Sequence, residues 1–223
     1  MSKTTKYSSV NLLPELNVDV ERWNRMPSEE KIASTVSAIE GRGINVSRVE
    51  SGEAALNKIK EIIPSGAEVM NGSSTTLIEI GFVEFLSSGQ HSWRDYHRVV
   101  TSENDADKRN DLRRKAVLSE YFLSGVNAIA MTGELVSCDA TGSRVGAWPF
   151  AAKYLILVAG VNKIVPTLQD ALQRIREYAY PLEDARSKKV YGTPSRIGKC
   201  IILASEPQGG RITLILVDDR LGY

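Results

Sequence analysis

Three stretches of the sequence gather side chains that can do chemistry. In the first, Gly72-Ser73-Ser74-Thr75 is followed one helical turn later by Glu79. A small polar loop between a strand and a helix offers free N–H groups to a phosphate or carboxylate. Glu79 would stand nearby as an acid or base. The same residues also make an ordinary helix start, with Ser74 or Thr75 as the cap. The second stretch is TGELVSCDATGSR, residues 132–144. Thr132, Gly133, Glu134, Asp139 and Arg144 put a fixed cation and two carboxylates beside flexible turns. Arg144 could clamp an anion with both arms of its guanidinium. Glu134, like Glu79, could serve as a base or nucleophile. Equally, Asp139-Ala140-Thr141-Gly142 is turn chemistry, and Arg144 could pair with Asp139. Both readings stay open. The third is Asn162-Lys163, just beyond an aliphatic run. Ligands of open α/β sheets gather past the carboxyl ends of strands, so Lys163 is either an anion contact or a solvated loop lysine.

Other chemistry finds little support. His91 and His97 would not share a helix face, and Cys138 and Cys200 are far apart in sequence, so no metal site is expected. No nucleophile elbow and no phosphate-binding P-loop occurs. No intrinsic cofactor is evident. The run His91-Ser92-Trp93-Arg94-Asp95-Tyr96-His97-Arg98 mixes aromatic and basic residues and could stack on a base. The formal net charge is +1, which favours neither nucleic acid nor an anionic membrane, so this run reads as a loop with its aromatics packed inward.

These groups need a scaffold, and the chain can build one. Of its 223 residues, 42% are hydrophobic and 25% charged, enough for a sizeable core. The longest apolar run, 154–161, is too short to span a bilayer, and the first residues lack the apolar core of a secretory signal. The expectation is a cytoplasmic chain with an irregular arm over 1–26 and a single domain over 27–223. Ser28 opens a helix that Gly41-Arg42-Gly43 ends. A strand follows at 44–49, a helix at 51–63 and a strand at 67–70. The alternation predicts an α/β fold with a mostly parallel central sheet. Residues 102–115 suit a solvated helix, with Tyr121 on its inward edge. Val126–Met131 and Leu135–Cys138 suggest a hairpin, and 153–159 a buried strand. A long helix from Thr167 is expected to stop at Pro181, with further strands at 199–204 and 211–217.

With these residues laid out, the chain resembles the lactate-utilisation (LUD) domain family over roughly 30–223. The resemblance is densest in GSSTTLIEIG and in NAIAMTGELVSCDATGSRVGAWPF with the KYLILVAGVNKIVPTLQDALQRIREYAYPL that follows. It implies a Rossmann-like fold similar to sugar-phosphate isomerases and CoA transferases. The family's recurrent positions fall on Ser74, Thr75, Glu79, Gly133, Glu134, Asp139, Gly142, Arg144, Asn162 and Lys163. The resemblance further implies a part in oxidising lactate to pyruvate, usually beside partner subunits that hold iron–sulfur clusters. Relatives often carry a cysteine-rich stretch near TP…GKC, where this chain has Ser195 and a lone Cys200. The expected function is therefore organic-acid metabolism, with a small anionic metabolite held by Ser74, Thr75 and Arg144, and a redox partner. The alternatives are a stand-alone isomerase or CoA-transferase-like enzyme using Glu79 or Glu134, and a non-catalytic binding module. A homodimer is expected on general grounds.

Overall fold

The computed structural model describes residues 9–223. Short helices α1 (Ser9–Leu12) and α2 (Val20–Trp23) lie within the segment expected to be irregular. They are fixed by burial: Leu12 and Trp23 are both buried, and the Trp23 indole N–H donates to Glu177 at 3.1 Å. Helix α3 (Glu29–Glu40) follows, then β1 (Asn45–Val49) and α4 (Gly52–Ile62), whose first turn is capped by Ser51 Oγ. Next come β2 (Glu68–Asn71), α5 (Thr75–Glu79), α6 (Phe82–Ser88), β3 (Arg94–Asp95), α7 (Tyr96–Ser102) and α8 (Ala106–Ala116).

The strand β4 (Tyr121–Gly125) corrects the expected helical edge at Tyr121. Its five residues are all buried, yet two are Ser124 and Gly125, so the stretch carries no aliphatic run. β5 (Ala128–Ala130) and β6 (Leu135–Asp139) form the expected hairpin, turned by Gly133 at φ 98°. β7 (Tyr154–Gly160), β8 (Ile164–Val165), α9 (Leu168–Arg174), α10 (Tyr180–Tyr191), β9 (Lys199–Leu203) and β10 (Ile212–Val217) complete the chain.

Pro181 does not stop the helix. A π-helical turn at Ile175–Ala179 joins α9 to α10, and Pro181 sits in the first turn of α10, where its missing N–H costs little. The helix ends at Gly192 in the left-handed conformation, φ 71°.

Six strands form one parallel sheet, in the order β1-β10-β7-β4-β2-β3. Its centre is covered on both faces. Along β7, Leu155, Leu157 and Ala159 enter one core, and Ile156 and Val158 the other. β10 divides the same way, which is the period-two alternation of a strand between two helix layers. The fold class is thus α/β with a parallel central sheet and flanking helices, as expected. A second sheet, β8-β5-β6-β9, packs with α9, α10 and the N-terminal helices around a third core. It places Cys138 opposite Cys200 across β6 and β9, although they are distant in sequence. Among the described residues, no helix is long and apolar enough to cross a membrane. The aromatic run packs inward: Trp93 donates to Ile63 O at 3.2 Å and lies 5.6 Å from Phe85, ring to ring.

Candidate functional site

The carboxyl ends of β2, β4 and β7 open into a cavity of about 420 Å³. Its wall takes Ser73–Thr76 from the loop after β2, Gly125–Asn127 after β4 and Lys163 after β7. The end of the hairpin, Cys138–Thr141 with Ser143 and Arg144, closes one side. Helix α10 and the C-terminal Tyr223 close another.

Asp139 shapes the hairpin end. Its carboxylate accepts from the backbone N–H groups of Gly142, Arg144 and Val145, the last two at 3.0 Å. Gly142 turns there at φ 91°. Asp139 therefore serves the loop and does not pair with the Arg144 guanidinium through a hydrogen bond. That guanidinium faces inward. It donates to Ser124 Oγ at 3.3 Å, Gly125 O at 2.8 Å, Asn127 Oδ1 at 3.2 Å and Cys138 O at 2.5 Å. These bonds occupy both terminal nitrogens, so a bidentate grip on a ligand would have to break them. What Arg144 offers the cavity is charge. Its stem crosses Gly72 so closely that a Cβ there would meet Arg144 Cγ at 2.4 Å.

Lys163 is fully buried. Its ammonium donates to Thr76 Oγ1 and Val126 O, both at 2.8 Å. Burial, Arg174 and Arg144 push its pKa well below the ordinary lysine value, and Glu79 pulls the other way. Arg174, also fully buried, donates to Trp23 O at 2.9 Å and to Asn127 O. Burial lowers its pKa to about 10. In every one of these hydrogen bonds the acceptor is neutral. Burial likewise opposes the charge of Arg144, which the negative charge of Asp139 favours.

The structure brings Ser74, Thr75, Asp139, Arg144 and Lys163 to one cavity. Ser74 Oγ is already engaged, accepting from Leu77 N at 3.3 Å, and α5 is only 5 residues long. Asn162 lies behind the wall, donating to Asn24 Oδ1 at 2.7 Å and accepting from Leu221 N at 3.2 Å. Glu79 accepts from Gly222 N at 2.5 Å and so anchors the C-terminus. Thr132, Gly133 and Glu134 are elsewhere: Glu134 pairs with Arg42 at 2.5 Å at the opposite end of the hairpin. Glu134 is therefore no nucleophile for this cavity. Among the described residues, no cluster of His, Cys, Asp or Glu could hold a metal ion.

The sequence reading missed Asn127, whose Oδ1 accepts from Ser137 Oγ, Cys138 N and Arg144, tying β5, β6 and the loop together. It also missed Glu183 and Arg186 on α10, joined by two bonds of 2.7 Å, and Tyr223, whose hydroxyl donates to Glu183 at 2.7 Å. Their i, i+3 spacing and Gly192 were readable signals of a helix running past Pro181.

A family model described as LUD domain matches residues 32–217. Among solved structures, a DUF162 family protein from Deinococcus radiodurans is similar at 13% identity and a TM-score of 0.48, covering 86% of this chain and 99% of that one. Ribose 5 phosphate isomerase A from Neisseria gonorrhoeae is similar at 13% identity and a TM-score of 0.32, over 52% of this chain and 54% of that one. No curated protein matches the chain.

Proposed function

The chain belongs to the LUD domain family, and from that premise we propose that its cavity binds a small hydroxy- or oxo-acid anion. Membership suggests metabolism of the lactate-utilisation type. The observation that carries the finer reading is the set Arg144, Lys163 and Arg174, buried cations whose hydrogen-bond acceptors are all neutral. Asp139 and Glu79 favour the charges of Arg144 and Lys163 only from beyond contact, and an anion entering beside a buried charge that has no counter-charge in contact offsets its cost. Arg144 and Lys163 reach the cavity wall, as do Ser73 and Thr75. In this reading the hydroxyls of Ser73 and Thr75 and the third N–H of Lys163 hold the carboxylate. Arg144 supplies field and holds the wall in shape.

Oxidising a hydroxy acid needs an electron acceptor. We assign that role to a partner protein holding an iron–sulfur cluster, with a homodimer as the working assembly. Asn162 and Glu79 support the site from behind by fixing the C-terminal residues against it.

Thermal shift and calorimetry with lactate, pyruvate and longer homologues test the reading. A bound ligand raises the melting temperature by mass action. Lactate or pyruvate should stabilise the protein while neutral lactamide does not, and Lys163→Met should weaken the response. Equal stabilisation by lactamide, or none by any acid at millimolar concentration, would sink it.

A further inference from the structure

We propose that the ligand of this cavity is extended, with a diphosphate-bearing tail held by Arg113, Arg114, Arg196 and Lys199. This rests on the anion-binding reading of the cavity and names the class of molecule that fills it. A second groove, of about 750 Å³, opens from the mouth of the first. The two share Arg113, Ala140, Thr141, Ser143, Pro194 and Arg196 as a common rim. Cavities of about 300–1,000 Å³ enclose ligands well above the size of a three-carbon acid. A cavity of 420 Å³ continuing into such a groove leaves a short acid with most of the space unfilled.

The charge of the groove is one-sided. Its lining includes Arg113, Arg114, Arg196 and Lys199 and no carboxylate. Arg113 is pinned by neutral partners, Ser143 Oγ at 2.9 Å and Thr141 Oγ1 at 3.4 Å. Its position is thus fixed while its charge is left uncompensated. Arg114 pairs with Asp111 at 2.8 Å, with both side chains exposed, which screens it only partly. Neither Arg196 nor Lys199 forms an ion pair among the described residues. Basic residues in the last turn of α8 complement the helix dipole. That accounts for Arg113 and Arg114 alone. Arg196 and Lys199 arrive from the loop before β9 and from its first residue, and converge on the same groove. Gly142 and Gly146 also line the groove, and a Cβ at Gly146 would meet nothing within 4 Å, so the groove is open there. Clustered guanidinium groups suit phosphate oxygens.

Calorimetry with inorganic diphosphate, ADP and acetyl-CoA on the full chain tests this. Arg114 and Lys199 are exposed and line the groove but not the cavity, so Arg114→Glu/Lys199→Glu leaves the core intact. Diphosphate should bind the wild type, weaken as salt rises, and lose at least tenfold in affinity in the double variant. Lactate or pyruvate should still bind the double variant. Failure of diphosphate to bind, or equal binding by the double variant, overturns the proposal. If diphosphate binds but no acid does, the groove stands and the organic-acid reading falls. Tighter binding of ADP than of acetyl-CoA makes the tail a nucleotide's, and the reverse makes it a CoA ester's. Binding of inorganic diphosphate with no gain from either carrier overturns the extended ligand.

Discussion

The two ends of one hairpin hold the same kinds of residue and do different work. At the Gly133 end, Arg42 from the turn after α3 meets Glu134 directly and donates to Thr132 O and Ala204 O. The cation and the carboxylate cancel each other. At the Asp139 end, the carboxylate is spent on three backbone N–H groups and the arginine on neutral acceptors. The charge of Arg144 therefore stays uncompensated by contact, inside a wall that a ligand can reach. An arginine, an acid and a glycine turn mark a site only where the acid is occupied by something other than the arginine.

The largest break in this comparison is Arg144→Met against Arg42→Met. Arg144→Met orphans buried acceptors at Ser124, Gly125, Asn127 and Cys138. A loss of about 3 kcal/mol in urea unfolding is expected, with the ligand response gone. Arg42→Met should cost about 1 kcal/mol and leave the ligand response intact. Equal costs would erase the distinction. Gly72→Ala sharpens it without removing any charge, because the new methyl would occupy the path of the Arg144 stem. The expected cost is about 2 kcal/mol, with the acid response reduced. A neutral substitution would show that the stem moves freely and that its position is not set by the loop.

How much of this was legible depends on distance along the chain. The alternation of 29–71 into helix and strand follows from local periodicity, and the structure has it, although Ser28 makes no side-chain cap bond to α3. The hairpin was legible from its two apolar runs and its glycine. β4 was not, because Ser124 and Gly125 interrupt its apolar run, and Gly125 is small for a reason visible only in three dimensions: a Cβ there would meet Ser74 Oγ at 2.4 Å. The clustering of Ser74, Thr75, Arg144 and Lys163 came from resemblance and turn chemistry. Their partners did not. Whether an arginine fork is free depends on carbonyls contributed by β4 and β6, and no spacing in the sequence encodes that. Pro181 misled because proline is read as a stop, while a π turn lets it enter as the start of the next helix.

The next effect is on pH. The pKa of Lys163 is held down first by burial, then by Arg174, with Arg144 adding a smaller part. A bound carboxylate favours the charged ammonium, so binding should take up a proton. Affinity should be highest at lower pH and fall, by up to about tenfold per unit, as pH rises through the range where Lys163 loses its proton. Calorimetry in buffers of different ionisation heat reads the proton directly, and Lys163→Met should flatten the profile. Without ligand the sign differs. The unfolded chain holds the proton up to about pH 10.4, so this lysine makes the fold more stable as pH rises towards that value. The Gly133 end contains no such group, so a proton uptake that survives in Lys163→Met would place the coupling elsewhere.

The smallest effect belongs to that quieter end. Burial raises the Glu134 pKa, but the Thr132 hydroxyl, its own backbone and Arg42 more than offset this and hold it below the ordinary carboxylate value. A depressed carboxylate adds stability that is complete above its unfolded pKa, about 4.3, and is lost as pH falls through the folded value. Glu134→Gln should cost under about 1 kcal/mol at neutral pH, because the pair is partly exposed, and the difference should vanish in acid. Ligand-induced shifts should match the wild type throughout. A lost ligand response in Glu134→Gln would mean that the two ends of the hairpin are coupled through β5 and β6, and that the charge balance at Arg42 is part of the site after all.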